Sequence, residues 1–162
     1  MEHAHSIFPS PIGPLAVTAS DKGVVSVLFT DEPVHISSSH PILEACAKQL
    51  AAYFSGSSQT FNLPLDMQGT EFQLRVWNCL LEIPFGQSLS YLEEARKLGD
   101  EKAIRAVAAA NGQNPVAILV PCHRVIGSDG SLTGYAGGVW RKEWLLRHEK
   151  HPYFRQQVIE GL

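Results

Sequence analysis

Long hydrophobic runs are missing from this sequence: no apolar stretch among its 162 residues approaches the roughly 20 that a membrane-spanning helix needs. The first five residues have neither the basic start nor the apolar stretch of a secretory signal. Both absences argue against a membrane or secreted protein, so we expect a cytoplasmic location. The chain also has no internal repeat or low-complexity tract.

Cysteine is scarce, and its spacing excludes two further classes of protein. Cys46, Cys79 and Cys122 are odd in number, far apart and free of any C-x-x-C pair, which argues against a disulfide framework and a zinc ribbon. Cys46 and Cys79 fall in helical apolar stripes and are predicted to be core residues. The N-terminal histidines form no convincing zinc set, so we expect neither a metal nor a cofactor.

An excess of positive charge is also absent, since 13 basic and 16 acidic residues leave a net charge of −3. A protein that binds nucleic acid mainly by bulk electrostatics is therefore disfavoured. The charge is unevenly distributed. Residues 1–70 carry two basic and six acidic side chains, whereas 71–162 carry 11 basic and 10 acidic. Any surface that faces nucleic acid is expected in the C-terminal part.

The front of the chain reads as a small α/β unit. Loose alternation over 13–29 around Asp21-Lys22-Gly23 predicts a β-hairpin. From Pro41 apolar residues recur every three or four positions, which predicts a helix that ends at Ser55-Gly56. Residues 59–69 are the best linker candidate, so we expect an N-terminal domain over 1–66 and a C-terminal domain over 67–162.

The C-terminal part begins with helices whose start signals are clear. Thr70 can cap a helix that Pro84-Phe85-Gly86 stops, Ser90-x-x-Glu93 is a capping box, and Asp100 can cap a helix over 101–110. The last two helices meet at Leu98-Gly99-Asp100. This is the outline of a helix-turn-helix, although similar helical hairpins are also ordinary core-building units.

The second of these helices is mostly small residues with a single Arg105. Its backbone can therefore approach a partner closely while Arg105 projects. Small helix faces also pack well against neighbouring helices, and the composition alone leaves both interpretations open.

After Asn114-Pro115, the run 116–120 looks buried and extended, and Pro121-Cys122-His123-Arg124-Val125 follows. A thiol is a strong nucleophile only as the thiolate, and a neighbouring imidazole can remove its proton. Neighbours in a strand point to opposite faces, so the chain must turn here or a water must relay the proton. A lone cysteine in an apolar run is otherwise more often a small core residue.

These motifs occur in an ordered set that resembles the O6-alkylguanine-DNA alkyltransferases. The resemblance runs almost without gaps from Phe72 to Glu149, whereas the front of the chain is similar only in outline, chiefly through Ser10-Pro11-Ile12-Gly13-Pro14-Leu15. The motifs that carry it are Phe85-Gly86-x-x-x-Ser90-Tyr91, Arg105-Ala106-Val107, Asn114-Pro115-Val116, Pro121-Cys122-His123-Arg124-Val125, Gly134-Tyr135 and Lys142-Glu143-Trp144-Leu145-Leu146-x-x-Glu149.

The resemblance implies a set of catalytic roles. Cys122 is the expected alkyl acceptor, and His123 is expected to draw its proton through a water. Glu149 is expected to hold that imidazole and to stabilise its positive form. The hydroxyl of Tyr91 is expected to donate toward guanine N3 as charge builds on the leaving base. Arg124 is assigned a structural hydrogen-bonding role.

The resemblance also implies a pocket and a DNA interface. Asn114 is expected to brace the turn, while backbone at Cys122 and Val125 reads the guanine edge. Ala136 stands where some members of the family have serine, which removes a hydroxyl that can bond the guanine oxygen. Tyr135 and Gly137 are expected to form the rest of the pocket wall. The expected DNA-binding residues are Arg105, Ser90, Ala106 and Ala109, and Arg105 is expected to fill the gap that the flipped base leaves in the stack.

The fold implied is α+β: a small N-terminal ribonuclease H-like α/β subdomain followed by a mainly helical domain with a helix-turn-helix. The expected partner is double-stranded DNA with O6-alkylguanine, and O4-alkylthymine is a further expected substrate. We expect a monomer that acts once. Three rivals stay open: an alkyltransferase-like module that binds lesions without transfer, a cysteine hydrolase, and a helix-turn-helix regulator. The presence of Cys122 disfavours the first.

Overall fold

The computed structural model describes residues 3–37 and 40–151. The chain forms two compact units. The first comprises the described part of Met1–Gln68 together with Pro115–Leu119, and the second comprises Gly69–Asn114 with the described part of Val120–Leu162. Within the described residues no helix is long and apolar enough to cross a membrane.

The first unit is built on an antiparallel sheet. Strands β1 (Ala4–Phe8), β2 (Leu15–Ala19) and β3 (Val24–Phe29) pair in the order β1-β2-β3. The hairpin of β2 and β3 confirms the predicted one. Alternate residues of β2 are buried because successive side chains of a strand point to opposite faces. Helix α1 (Pro41–Ser55) buries its apolar stripe, including Cys46, and ends at Gly56, whose φ of 84° favours glycine.

The free edge of β3 is extended by two short bridges from later parts of the chain. Leu65 pairs with Val24, and Val116 pairs with Val27, both in the parallel sense. The backbone N–H of Val24 donates to the Pro64 carbonyl at 2.9 Å, and Asp66 donates to the Val24 carbonyl at 2.8 Å. The C-terminal half of the segment 59–69 thus belongs to the edge of this sheet.

The second unit is mainly helical, as predicted for the C-terminal part. Its helices are α2 (Glu71–Leu80), α3 (Tyr91–Lys97), α4 (Ile104–Gly112) and α5 (Val139–His148). Two-residue strands β4 (Leu89–Ser90) and β5 (Val125–Ile126) pair in parallel. The fold class is therefore the predicted one, a small sheet unit and a helical unit.

The predicted helix starts are confirmed with one correction. The hydroxyls of Thr70 and Ser90 accept the N–H groups of Gln73 and Glu93 and form capping boxes. Asp100 also caps, but it caps a single 3₁₀ turn, Glu101–Ala103, and α4 itself runs over Ile104–Gly112. The predicted bounds 101–110 were wrong at both ends, because the first turn is 3₁₀, as is frequent at helix starts, and the last turn extends to Gly112.

The run 116–120 is buried, as predicted, but it is not a strand. Only Val116 forms a bridge, and the chain then turns, with Ile118 at a φ of 72°. The prediction of an extended segment was wrong because buried apolar residues do not by themselves specify backbone pairing. The turn lets Asn114 donate from Nδ2 to the carbonyl of Val120 at 2.8 Å.

Candidate active site

The cysteine expected to be reactive lies on a turn. Cys122–Arg124 form a 3₁₀ turn, with the Arg124 N–H donating to the Pro121 carbonyl at 2.9 Å. Cys122 is partly exposed, whereas His123 and Arg124 are buried. The chain therefore turns where an extended strand would have separated the neighbouring side chains. Cys46 and Cys79 are buried, which confirms them as core residues.

A single carboxylate organises the residues behind Cys122. Glu149 follows the last turn of α5 and is 1% exposed. Its Oε2 accepts from His123 Nε2 at 2.8 Å, and both of its oxygens accept from Arg124, at 2.8 Å from Nε and 2.9 Å from Nη2. Arg124 Nη1 also donates to the Ile83 carbonyl at 2.7 Å. The structural hydrogen-bonding role predicted for Arg124 is thus observed as a forked pair with Glu149.

This geometry sets the protonation of the imidazole. When His123 Nε2 carries the proton donated to Glu149, Nδ1 is a free acceptor. Nδ1 is buried and has no hydrogen-bond partner within the described residues. Burial lowers the pKa of His123 despite the attraction of Glu149, so the ring is neutral at pH 7. A neutral imidazole with an unoccupied nitrogen is able to accept a proton.

The charges of the neighbouring groups are also fixed. Burial alone raises the pKa of Glu149, but His123 and Arg124 outweigh it and hold that pKa below its usual range. Burial raises the pKa of the Cys122 thiol, while a hydrogen bond from Asn114 and the charge of Lys142 act in the opposite direction. Cys122 is accordingly a thiol at rest, and a base must remove its proton before it can attack.

A second group of polar residues surrounds the half-buried Tyr91 at the start of α3. The hydroxyl of Tyr91 donates to the Thr133 carbonyl at 3.1 Å. The ammonium of Lys142 donates to the same carbonyl at 2.9 Å and lies 3.4 Å from the Tyr91 oxygen. Lys142 is 1% exposed. The buried ammonium of Lys142 therefore links the Tyr91 hydroxyl to Thr133, in the loop between β5 and α5.

The loop between β5 and α5 carries the residues predicted to wall a pocket. Tyr135 is buried, Ala136 is exposed, and the Gly137 carbonyl accepts from Arg141 Nη1 at 2.9 Å. Gly138 caps α5 with a φ of 92°, a conformation that favours glycine. Val125 lies in β5, directly after the Cys122 turn, and pairs with Leu89.

Helix α4 presents a small, exposed face. Arg105, Ala106 and Ala109 are exposed, whereas Val107 and Ala110 are buried. Trp77 fixes the buried side, since its indole N–H donates to the Ala110 carbonyl at 2.9 Å. Ser90, the cap of α3, is half-buried. The exposed side of α4 thus combines one cation with methyl-sized side chains.

Two buried charges were missed by the sequence reasoning. Lys142 occupies a core-facing position of α5, and Glu94 occupies one of α3. In α5 the buried residues follow helical spacing, so Lys142 stands in the same stripe as Leu145, Leu146 and Glu149. In the sequence, the available signal of such a buried charge was a charged residue at a position that helical spacing assigns to the apolar face. Among the described residues no cluster of His, Cys, Asp and Glu could hold a metal ion.

Family models match both parts of the chain. Residues 71–151 match the DNA-binding domain of 6-O-methylguanine DNA methyltransferase, and residues 4–67 match the ribonuclease-like domain of the same family. The two matches together cover most of the sequence.

Curated proteins and solved structures agree with these models. The methylated-DNA–protein-cysteine methyltransferase of Methanosarcina acetivorans is 44% identical over 90% of this chain and 97% of its own. The protein of the same name from Mycobacterium leprae is 45% identical over 100% and 98%. The crystal structure of Mycobacterium tuberculosis O6-methylguanine methyltransferase superimposes with a TM-score of 0.82 at 42% identity, covering 92% of this chain and 93% of that one.

A further solved structure is the Mycobacterium tuberculosis OGT in complex with DNA, with a TM-score of 0.80 and 44% identity over 89% of this chain and 91% of that one. Matches of this identity and coverage, together with the two family models, settle the relationship. The chain belongs to the 6-O-methylguanine DNA methyltransferase family.

Proposed function

We propose that this protein repairs DNA by direct reversal, transferring the alkyl group of O6-alkylguanine irreversibly to Cys122. The observation that carries the proposal is the arrangement of a partly exposed thiol on the same turn as a buried, neutral imidazole that Glu149 holds. Membership of the family and the names of its relatives support it.

The reaction begins with a proton transfer. The thiol proton of Cys122 passes through a water to His123 Nδ1, the imidazole nitrogen that Glu149 leaves free. The imidazolium that forms lies against a carboxylate whose pKa is held below its usual range, so its positive charge is compensated where it appears. Asn114 supports the sulfur with a hydrogen bond.

The thiolate then attacks the alkyl carbon. A sulfur–carbon bond forms, the carbon–O6 bond breaks, and its electron pair stays on the guanine. The Tyr91 hydroxyl, which donates to the Thr133 carbonyl in the free protein, turns toward guanine N3 and stabilises the charge that builds there. The restored guanine takes up a proton, which balances the one lost by the thiol.

Access to the lesion requires that the base leave the helix. An atom inside the duplex is out of reach of Cys122, and rotating the nucleotide into a pocket costs a few kcal/mol. Arg105 fills the vacated stack from the exposed face of α4, while Ala106 and Ala109 let that helix enter a minor groove of about 6 Å width. Ser90 contacts the sugar-phosphate backbone of the DNA. Double-stranded DNA is therefore the partner of this surface.

The pocket for the flipped base is formed by the loop before α5. Tyr135 and Gly137 wall it, Ala136 offers only its backbone amide, and backbone at Val125 reads the guanine edge. Because Ala136 has no hydroxyl, bulky adducts receive one hydrogen bond fewer than in relatives with serine there. O4-alkylthymine is a second substrate of the same chemistry.

The thioether is chemically stable, and none of the described residues offers a route to its removal. The protein is therefore a single-turnover enzyme. We further infer that it acts as a monomer without a cofactor. We place it in the cytoplasm, where a reducing medium keeps the Cys122 thiol free.

The proposal is tested by titration. A duplex oligonucleotide with one O6-methylguanine is incubated with increasing protein, and the remaining lesion is quantified after digestion. We expect one lesion lost per protein molecule, with Cys122→Ser inactive. A cysteine hydrolase predicts several lesions per molecule, a lesion-binding module predicts binding without loss, and a regulator predicts sequence-dependent binding; each of these results contradicts the proposal.

A further inference from the structure

Four charged Asp, Glu, Lys or Arg side chains are buried within the described residues: Glu94, Arg124, Lys142 and Glu149. Burying a charge is costly unless an opposite charge compensates it. Arg124 and Glu149 compensate each other directly through two hydrogen bonds. The ammonium of Lys142 instead donates only to neutral oxygens, those of Thr133 and Tyr91. Its charge needs a partner further away.

Glu94 is the buried acidic residue on the helix that begins with Tyr91, whose hydroxyl Lys142 contacts, and its charge acts on the lysine. It lies one helical turn after Tyr91 on α3 and is 0% exposed. Its Oε1 accepts from Asn111 Nδ2 at 2.7 Å, and this bond links it to α4. Glu94 Oε2 and Asn111 Oδ1 are buried and have no hydrogen-bond partner among the described residues. One oxygen of the carboxyl group therefore has no hydrogen-bond donor among the described residues, and the lysine donates to no anion there.

We propose that Glu94 is a positioning residue for the transfer reaction: its carboxylate, held by Asn111, is the buried counter-charge of Lys142, whose ammonium contacts the Tyr91 hydroxyl. The inference rests on the proposed function and deepens it, because the proton donor Tyr91 then works next to a positive charge at neutral pH. As Tyr91 donates toward guanine N3, the ammonium stabilises the negative charge that develops on the phenol oxygen.

The electrostatics of the cluster support this arrangement. Burial lowers the pKa of Lys142 to about 8, and Cys122 and Glu94 oppose that fall. Burial raises the pKa of Glu94 to about 7, against the hydrogen bond from Asn111 and the charge of Lys142. Glu94 thus becomes an anion just below the pH at which Lys142 would lose its proton. At the pH at which Lys142 would lose its proton, Glu94 is therefore an anion that favours the charged form of the lysine.

Several other titratable groups interact with Glu94 and Lys142, so only one part of a pH profile reports on these two residues. Glu94 acts on Tyr91 of its own helix, Cys79 of α2, Cys122 of the 3₁₀ turn and Lys142 of α5. Lys142 acts on Cys122 and His123 as well. Deprotonation of His123, whose pKa is lowered by burial, governs the ascending limb of the rate. Loss of the lysine proton governs the descending limb, which is the relevant readout.

The test is the pH dependence of the single-turnover transfer rate, measured with a methylated duplex for wild type, Glu94→Gln and Lys142→Gln. We expect a descending limb in the wild type near the Lys142 pKa of about 8. In Glu94→Gln that limb moves to lower pH, because glutamine cannot hold the lysine proton. Well below pH 7 the two proteins react alike, since Glu94 itself is then protonated. Lys142→Gln removes the limb.

Two controls separate this role from a structural one. Glu82→Gln changes an exposed carboxyl of the same unit and should leave the profile where it is. In a Lys142→Gln background, which has no descending limb, Glu94→Gln should not change the shape of the pH profile. A uniform fall in rate with the limb unmoved, or a wild type without a descending limb, overturns the inference. A wild type that acquires no methyl group contradicts the proposed function instead, so the two failures are distinct.

Discussion

Arg124 and Glu149 meet in a forked ion pair, with Nε 2.8 Å from Oε1 and Nη2 2.9 Å from Oε2, and the second of these oxygens also accepts from His123. One buried carboxylate therefore serves a structural cation and a reactive imidazole at once. Changing it should affect stability and reaction rate together.

Glu149→Gln is expected to lower the transfer rate by about 100-fold or more, because the amide cannot compensate the imidazolium that forms during proton transfer. It should also cost about 3–5 kcal/mol of stability, since Arg124 is left buried without its anion. Single-turnover kinetics and urea unfolding measure the two effects. Glu143→Gln is the matched control, as its pair with Arg147 on the same helix is largely exposed. An unchanged rate in the folded variant would remove Glu149 from the reaction.

Acid should destabilise the wild type through the same residue. The pKa of Glu149 is lower in the folded protein than its unfolded value of about 4.3, so its stabilisation is complete above that pH and is lost as the pH falls below it. Urea midpoints measured from neutral pH down to about pH 3 should fall less steeply for Glu149→Gln than for the wild type. Parallel curves for the two proteins would show that Glu149 is not the group responsible.

Arg105→Ala is expected to weaken repair of duplex DNA far more than reaction with a free O6-alkylated base. Only in a duplex does base flipping leave a gap in the base stack for Arg105 to fill. Lys102→Ala removes a nearby exposed cation and provides the control for charge alone. Rates with both substrates are measured for each variant. Equal losses on duplex and free base in Arg105→Ala would argue against the stacking role.

Ala136→Ser should raise the rate with O6-benzylguanine, since the new hydroxyl can donate to the guanine oxygen in the pocket. An added hydrogen bond of about 1 kcal/mol corresponds to roughly a fivefold gain. Ala136→Gly, which adds no hydroxyl, should give no such gain. A serine variant that reacts no faster than wild type would mean that the residue 136 side chain does not reach the substrate.

The features predicted well from the sequence are those that depend on short-range chemistry. Capping by Thr70, Ser90 and Asp100 follows from a side chain that reaches an N–H group two or three residues away. The hairpin of β2 and β3 follows from alternation and a turn. Strand β1 was missed because three consecutive residues, Ser6 to Phe8, are buried, and this hides the two-residue period.

The features that could not be predicted depend on contacts between distant residues. The resemblance predicted that Glu149 holds His123, but Arg124 and Glu149 are 25 positions apart, and nothing in the local sequence indicates that the same carboxylate also binds Arg124. Glu94 and Lys142 carry an available signal, a charge within a buried stripe, but the contact of Lys142 with Tyr91 joins residues 51 positions apart. The turn at 116–120 is accompanied by the Asn114 hydrogen bond to the Val120 carbonyl, which apolar composition does not encode.

The most direct test of the account is the mass of the protein after reaction. The protein is incubated with a duplex that carries a single O6-methylguanine, and the intact mass and the peptide that contains Cys122 are then measured. We predict a gain of one methyl group, located on Cys122, in every molecule that has repaired a lesion. Loss of the lesion with the protein mass unchanged, or a methyl group on Cys46 or Cys79, would contradict the account.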